Sequence, residues 1–204
     1  MNTFRIVRGM KLQILSRVYP PAEDSYFFLD VLEKNFCEIP ERILDMGTGT
    51  GVLAIASGRK FPEARVLALD IDERAVRCAG MNFQLNGLGK ARSYQSDLFE
   101  RLNPREEEPF DLVLFNPPYL LGTPREKITG QESWYGGSGG TETINRFLTE
   151  VTDWLSPSGK MLLLVEQRNL SSLIIPVRLV VTGVNTASVL GEKLFIFVLK
   201  EKKV

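Results

Sequence analysis

The segment Leu44-Asp45-Met46-Gly47-Thr48-Gly49-Thr50-Gly51 decides the fold, because it joins an apolar run to three closely spaced glycines. Residues Arg42–Met46 are typical of a buried strand, and residues 52–58 of an apolar helix. Glycines let the chain turn tightly from strand to helix and let backbone N–H groups meet a ligand. The pattern alone also fits a plain βα turn, or the binding of a nicotinamide or flavin cofactor.

Strands and helices alternate on both sides of this segment. A strand at residues 65–69 completes a βαβ unit, after which Asp72 can cap a helix that Gly87 ends. The remaining predicted elements are strands at 11–15, 93–95, Phe110–Phe115 and 161–165, a helix after Pro21, and a helix from Thr141 to Leu155.

The last third of the chain is predicted to add a short helix and two strands. The short helix covers residues 169–175, and residues 193–199 form an edge strand beside residues 185–190. The whole pattern predicts a mostly parallel sheet covered on both faces, with ligands outside the carboxyl ends of its strands.

Two aspartates follow predicted strands at that ligand-binding edge. Asp70 ends the second strand, where a carboxylate can accept hydrogen bonds from ribose hydroxyls. Asp97 follows the third strand, where its carboxylate can accept a hydrogen bond from an adenine amino group. The next backbone N–H can donate to a ring nitrogen of the same base. The two positions favour a nucleoside site, although either aspartate can instead serve in a turn or a helix cap.

The sequence Asn116-Pro117-Pro118-Tyr119 follows the strand Phe110–Phe115 directly. Two prolines remove two N–H donors and fix the backbone, so the Asn116 side-chain oxygen and the Pro117 carbonyl can both accept from one planar NH₂ group. These acceptors could hold an amide nitrogen in line with a sulfonium methyl group, and Tyr119 could cover the planar group by stacking. The motif therefore predicts a site for an amide or aromatic amine, the alternative being a rigid loop.

Composition restricts the chemistry. The 204 residues are predicted to form one domain, 1–204, with a strand and helix extension at about 1–38. Basic and acidic residues balance at 25 each, which disfavours long nucleic acid as a partner, and no segment is apolar enough for a membrane span. Histidine is absent, which removes the usual general base, and no metal site is expected. The isolated cysteines Cys37 and Cys78 favour a reducing, cytoplasmic location.

Together these motifs resemble the class I S-adenosylmethionine-dependent methyltransferases. That resemblance implies a Rossmann-like α/β fold with a mostly parallel seven-stranded sheet and helices on both faces. The segment Val18-Tyr19-Pro20-Pro21-Ala22-Glu23-Asp24-Ser25 is similar to the Tyr-x-Pro-x-Glu-Asp-Ser/Thr motif of the HemK2 or Mtq2-like release-factor glutamine methyltransferases in the HemK family. Bacterial-type members carry an extra N-terminal helical domain, for which we expect no room in this chain.

The resemblance also implies a role for individual residues. Asp45 and Gly47 would approach the methionyl part of S-adenosyl-L-methionine, and Asp70 its ribose. The complete implied cofactor site is Tyr19, Ser25, Asp45, Gly47, Gly49, Gly51, Asp70, Ile71, Asp97, Leu98 and Asn116. The implied catalytic set is Asn116, Pro117, Pro118 and Tyr119, of which the first two would hold the substrate amide.

The implied substrate is the glutamine of the Gly-Gly-Gln loop in a translation termination factor, and the implied partner is a Trm112-like small zinc-binding activator. Trp134-Tyr135-Gly136-Gly137 resembles the family's Trp-x-Gly-Gly segment near the substrate entrance, whereas residues 171–184 depart from the longer charged helix expected there.

Three alternatives stay open. They are N-methylation of an exocyclic base amine in DNA or RNA, methylation of a protein lysine, and a non-catalytic nucleotide-binding subunit. The neutral charge argues against nucleic acid, and the lack of an obvious base argues against lysine. A subunit without catalysis would have no need of Asn116 and Pro117 together with the glycine loop, Asp70 and Asp97.

Overall fold

A seven-stranded sheet forms the centre of the structure, a computed structural model that describes residues 2–34, 38–118, 141–189 and 191–202. Its strands are β3 (Arg42–Met46), β4 (Arg65–Asp70), β5 (Arg92–Gln95), β6 (Phe110–Phe115), β7 (Leu155–Glu166), β8 (Leu179–Val189) and β9 (Glu192–Glu201). A separate hairpin comprises β1 (Thr3–Val7) and β2 (Met10–Ile14). The α-helices are α1 (Glu23–Lys34), α2 (Val52–Lys60), α3 (Glu73–Leu85) and α4 (Glu142–Glu150).

The sheet has the strand order β5-β4-β3-β6-β7-β9-β8. Pairing is parallel from β5 through β7, whereas β9 runs antiparallel to both β7 and β8. The predicted mostly parallel seven-stranded sheet is therefore confirmed. Because β3, β4, β5 and β6 are parallel neighbours, their carboxyl ends meet at one edge of the sheet, where the connecting loops can share a ligand.

Helices cover both faces of the sheet. On one face α1, α2 and α3 pack with the hairpin against the sheet, burying side chains such as Phe28, Ile55 and Phe83. On the other face α4 buries Phe147 against Phe115, with ring centroids 4.3 Å apart. The interiors of the central strands are mostly apolar because both of their faces are covered, and the buried Asp45 of β3 is an exception.

Asn82 of α3 and Asn86 at its C-terminal end hold the hairpin, and Asn82 also joins it to the glycine loop. Asn82 accepts from the Gln13 N–H at 2.8 Å and donates to the Gln13 and Thr50 carbonyls at 3.1 and 2.9 Å. Asn86 likewise accepts from the Lys11 N–H and donates to the Lys11 carbonyl. These side-chain amides form hydrogen bonds with backbone N–H and C=O groups of β2, as a neighbouring strand would. They therefore fix the chain that leads from β2 to the ligand edge.

Several boundaries agree with the sequence prediction. The strands β3 and β6 have the predicted bounds, and Asp72 caps α3 by accepting from the Arg74 N–H at 2.9 Å. Thr141 precedes α4, but its side chain makes no capping hydrogen bond. The prediction that this helix reaches Leu155 was wrong, because a 3-10 turn at Val151–Asp153 follows α4 and Leu155 already belongs to β7.

The predictions for the last third need two corrections. A 3-10 turn at Gln167–Ser172 stands where a helix over 169–175 was predicted, because Leu173 and Ile175 pack against the core instead of continuing the turn. The strand predicted at the edge, now β9, lies inside the sheet, where Ile196 and Leu199 are fully buried, and β8 forms the edge. Within the described ranges, no helix is long and apolar enough to cross a membrane.

Candidate active site

The glycine loop after β3 is held by a buried carboxylate. Asp45 Oδ2 accepts from the Thr48 hydroxyl at 2.7 Å and from the Ala54 N–H at 3.1 Å, so it ties the loop to the first turn of α2. Gly47 has a φ of +64°, and a Cβ there would lie 3.4 Å from the Phe115 ring. A side chain at this position would be strained and would crowd the end of β6.

Asp45 lies beneath the loop and not among the residues that line the adjacent cavity. Burial raises the pKa of its carboxyl to about 7, although the Thr48 and Ala54 hydrogen bonds act in the opposite direction. Its second oxygen, Oδ1, is buried and has no hydrogen-bond partner in the described part of the chain. The structure thus gives Asp45 an organising position behind the predicted methionyl end.

Gly51 also faces away from the cavity. Its φ is +80°, and a Cβ there would lie 2.9 Å from the Phe83 ring and 3.1 Å from the Ala79 Cβ. The residue therefore permits close packing of the loop against α3, and its predicted contact with the cofactor stays a prediction.

Asp70 ends β4 and lines the cavity. Its Oδ2 accepts from the Gly49 N–H and its Oδ1 from the Asp72 N–H, each at 2.9 Å. Burial raises the pKa of Asp70 to about 6, against the lowering effect of these backbone hydrogen bonds. The neighbouring Ile71 lines the same cavity and is 56% exposed. A carboxylate with a fixed orientation is thereby available to ribose hydroxyls.

Asp97 and Leu98 follow β5 on the same cavity wall. Arg146 of α4 donates to Asp97 Oδ2 at 3.3 Å, and the Ser96 hydroxyl donates to the Leu98 carbonyl at 2.7 Å. Leu98 is buried with a φ of +48°, a conformation that costs a residue with a side chain on the order of 1 kcal/mol or more. Such strain persists only where surrounding contacts impose it.

Asn116, Pro117 and Pro118 follow β6 and line the opposite end of the cavity. Asn116 Nδ2 donates to Asp24 Oδ2 at 2.9 Å, which joins the end of β6 to the first turn of α1. Asp24 is only 3% exposed, and its Oδ1 accepts from the Tyr19 and Ser25 hydroxyls at 3.2 and 3.3 Å. Tyr119 and the segment 134–137 lie outside the described residues.

One cavity of about 340 Å³ connects these groups. Its size is at the lower end of the ~300 to 1,000 Å³ typical of small-molecule sites. It brings together most of the predicted site residues: Tyr19, Ser25, Gly47, Gly49, Asp70, Ile71, Asp97, Leu98, Asn116, Pro117 and Pro118. Asp45 and Gly51 are the predicted residues within the described ranges that do not line it.

Sequence reasoning did not assign a role to Asp24 or Arg146, which also line the cavity. Asp24 lies within the motif that contains Tyr19 and Ser25, so the sequence pattern marked it as a candidate. Arg146 gave no such signal, because its approach to Asp97 depends on how α4 packs beside β5.

Solved structures share this architecture. TrmN from Thermus thermophilus superposes with a TM-score of 0.68 at 22% identity, covering 86% of this chain and 48% of that one. A methyltransferase from Pyrococcus furiosus gives a TM-score of 0.63 at 22% identity, with coverages of 94% and 90%. At these identities the likeness establishes the fold alone, which is the class I methyltransferase fold.

Sequence comparison defines the family. The model of the methyltransferase small domain family matches residues 23–186, and the chain belongs to that family. Human methyltransferase HEMK2 is 35% identical over 159 residues, which are 76% of this chain and 74% of that protein. A relative from Methanocaldococcus jannaschii, provisionally named a protein N5-glutamine methyltransferase, is 35% identical over 156 residues, with coverages of 75% and 74%.

A bacterial relative is more distant. The release factor glutamine methyltransferase of Gloeobacter violaceus is 30% identical over 162 residues, and the match spans 74% of this chain but 55% of that protein. The resemblance to the HemK2-like branch is thus confirmed, and the chain is a methyltransferase.

Proposed function

We propose that this protein uses S-adenosylmethionine to methylate the side-chain amide of the glutamine in the Gly-Gly-Gln motif of a translation termination factor. The observation that carries the proposal is the Asn116 carboxamide, whose nitrogen is bonded to Asp24 and whose buried oxygen has no partner among the described residues. An unpaired buried acceptor is costly unless a ligand supplies a donor. The name of the human relative supports a methyltransferase, and the names of the archaeal and bacterial relatives support a glutamine substrate.

The residues around the cavity fit the proposed cofactor. Asp70 suits the ribose hydroxyls and Asp97 an adenine amino group, and the glycine loop lies between β3 and the cavity. A structural neighbour with a TM-score of 0.68 at 11% identity, provisionally named a methyltransferase, is complexed with SAH. When bound, the cofactor supplies a methyl group on a positively charged sulfur.

The residues at the acceptor end suit an amide nitrogen. Asn116 Oδ1 and the Pro117 carbonyl would accept the two amide protons and hold the nitrogen toward the methyl donor. The N–C bond forms as the C–S bond breaks, and the electron pair of that bond stays on sulfur. The amide becomes cationic and acidic and then loses a proton to water. No strong base is required before attack, in agreement with the absence of histidine.

A Trm112-like activator and a cytoplasmic location complete the proposal. The edge strand β5 leaves one side unpaired within the described chain, and its Tyr94 is 39% exposed with the Arg101 guanidinium 4.5 Å from the ring centroid. An unpaired edge is a common place for a partner to add a strand. The buried free thiol of Cys78 suits a reducing compartment.

The test is transfer of radiolabelled methyl from S-adenosylmethionine to a purified termination factor, to its Gln→Ala variant and to DNA and RNA, with and without a Trm112-like protein. We expect label on the wild-type factor alone, and any requirement for the partner appears in the same experiment. Label on nucleic acid would instead establish the base-amine alternative, because the Asn116 site also suits an exocyclic amine.

A further inference from the structure

The Asn116 carboxamide is fixed from one side by Asp24. Asn116 Nδ2 donates to Asp24 Oδ2 at 2.9 Å, while Asn116 Oδ1 is buried without a partner in the described chain. The second oxygen of Asp24 accepts from the Tyr19 and Ser25 hydroxyls. These contacts anchor the carboxylate from two directions, and its burial removes competition from water.

This contact permits only one orientation of the amide. Both Asp24 oxygens already accept hydrogen bonds, so rotating the Asn116 amide by half a turn would bring two oxygens together. The rotation would lose a charge-assisted hydrogen bond and replace it with repulsion. Asn116 therefore presents its oxygen to a ligand, and its NH₂ group stays behind on Asp24.

We propose that Asp24 is a positioning residue that determines specificity, because it forces Asn116 to offer an acceptor and so makes the site select an NH₂ group over a carboxylate. The inference rests on the proposed glutamine methylation. A glutamine amide can donate to Asn116 Oδ1, whereas a glutamate side chain would place its own oxygen against that atom. This discrimination is strong because binding of the wrong side chain would leave buried polar groups without hydrogen-bond partners.

A purely structural role would give a different result. Asp24 also lies in the first turn of α1, where an acidic side chain stabilises a helix through its dipole. Loss of that contribution would lower folding stability without changing which acceptor is preferred. The decisive quantity is therefore the ratio of the inhibition constant of the Gln→Glu factor to the KM of the wild-type factor, and not activity alone.

The experiment compares the wild-type protein with Asp24→Ala, Asp24→Asn and the control Asp30→Asn. Asp30 lies on the same helix but pairs with Arg8 at the surface, at 2.6 Å. Each protein is assayed for methyl transfer to the termination factor, with its Gln→Glu variant as a competitive inhibitor. Cofactor affinity and thermal unfolding are measured on the same samples.

We expect Asp24→Ala to lower kcat by about 10- to 100-fold, to leave the cofactor Kd within about threefold, and to reduce the preference for glutamine over glutamate by about tenfold. Asp24→Asn, which still offers one oxygen to Asn116, should fall between Asp24→Ala and the wild type. Asp30→Asn should match the wild type. Folded Asp24 variants with unchanged discrimination would overturn the proposal.

An NMR measurement separates failure of this proposal from failure of the proposed function. In the wild type the Asn116 side-chain NH₂ protons should exchange slowly with water, and Asp24→Ala should speed their exchange by about tenfold or more. If the wild-type protein methylates no glutamine, the proposed function is wrong, but the exchange measurement still tests the contact between Asp24 and Asn116. Equal exchange in both proteins would overturn the Asp24 assignment even if glutamine is methylated.

Discussion

The proposed cofactor side of the cavity and its proposed acceptor end differ in how their polar groups are satisfied. Both oxygens of Asp70 already accept backbone N–H groups from the glycine loop and the start of α3. At the proposed acceptor end, the Asn116 nitrogen is hydrogen-bonded, whereas its buried oxygen has no partner among the described residues. The cofactor side is thus organised by local backbone, whereas the acceptor end depends on one side-chain contact between distant parts of the chain. Substitutions should affect the two ends separately.

The largest effect is expected at the acceptor end. Asn116→Ala removes the open acceptor, and we expect kcat to fall by about 100- to 1,000-fold, as when a transition-state hydrogen-bonding group is lost. The cofactor Kd should stay within about threefold. Steady-state kinetics and calorimetric titration with S-adenosylmethionine measure the two quantities. Wild-type kcat in the folded variant would contradict the assigned role.

The buried acid behind the glycine loop should affect stability and its pH dependence. The folded pKa of Asp45 lies above its unfolded value, so its contribution to stability is complete below about pH 4 and is lost as pH rises through about 7. Asp45→Asn cannot ionise, so its free energy of unfolding should gain about 2 to 3 kcal/mol relative to wild type between pH 5 and 8. Denaturant titrations of the ligand-free proteins measure this difference. A difference that does not vary with pH would show that Asp45 ionises normally.

A smaller effect, confined to cofactor binding, is expected at Asp70. Asp70→Ala removes the proposed acceptor for ribose, so the cofactor Kd should rise by about 10- to 50-fold. The kcat at saturating cofactor should change by less than about threefold. Because burial raises the pKa of Asp70 to about 6, wild-type affinity should also decline as pH falls below that value. A large loss of kcat with unchanged Kd would remove the proposed separation between the two ends.

The smallest effect is expected at Tyr19, whose hydroxyl donates to Asp24. Tyr19→Phe removes one of several hydrogen bonds that orient the carboxylate, so kcat should fall by about two- to fivefold. Comparison of kcat in the wild type, Tyr19→Phe, Asp24→Ala and the double variant measures the coupling between Tyr19 and Asp24. Strictly additive effects would show that Tyr19 acts independently of Asp24.

The strand ends that carry the proposed cofactor residues could be predicted from sequence because their determinants are local. The strands β3 and β6 are rich in apolar residues and are followed by a glycine loop and a proline pair, and their predicted bounds agree with the structure. Asp70 and Asp97 were located because each directly follows a strand of the same parallel sheet. By contrast, the packing role of Gly51 depends on Phe83 and Ala79 of α3, which no local pattern indicates.

Long-range contacts account for the features that sequence missed. Asp24 and Asn116 are 92 residues apart in sequence, so their hydrogen bond follows from the path of α1 over the sheet. The interior position of β9 has a similar origin. An alternating sequence pattern is the same whether the strand lies at the edge of a sheet or next to the edge strand. Fold class could be read from periodicity, but neighbour relations could not.

The most direct test of the account is to locate the methyl group by tandem mass spectrometry. A Gly-Gly-Gln-containing termination factor would be incubated with S-adenosylmethionine and either the wild-type protein or Asn116→Ala, with the Trm112-like partner present. The account predicts one methyl group on the side-chain nitrogen of that glutamine with the wild type, and almost none with Asn116→Ala. A methyl group on another residue, or equal methylation by both proteins, would contradict it.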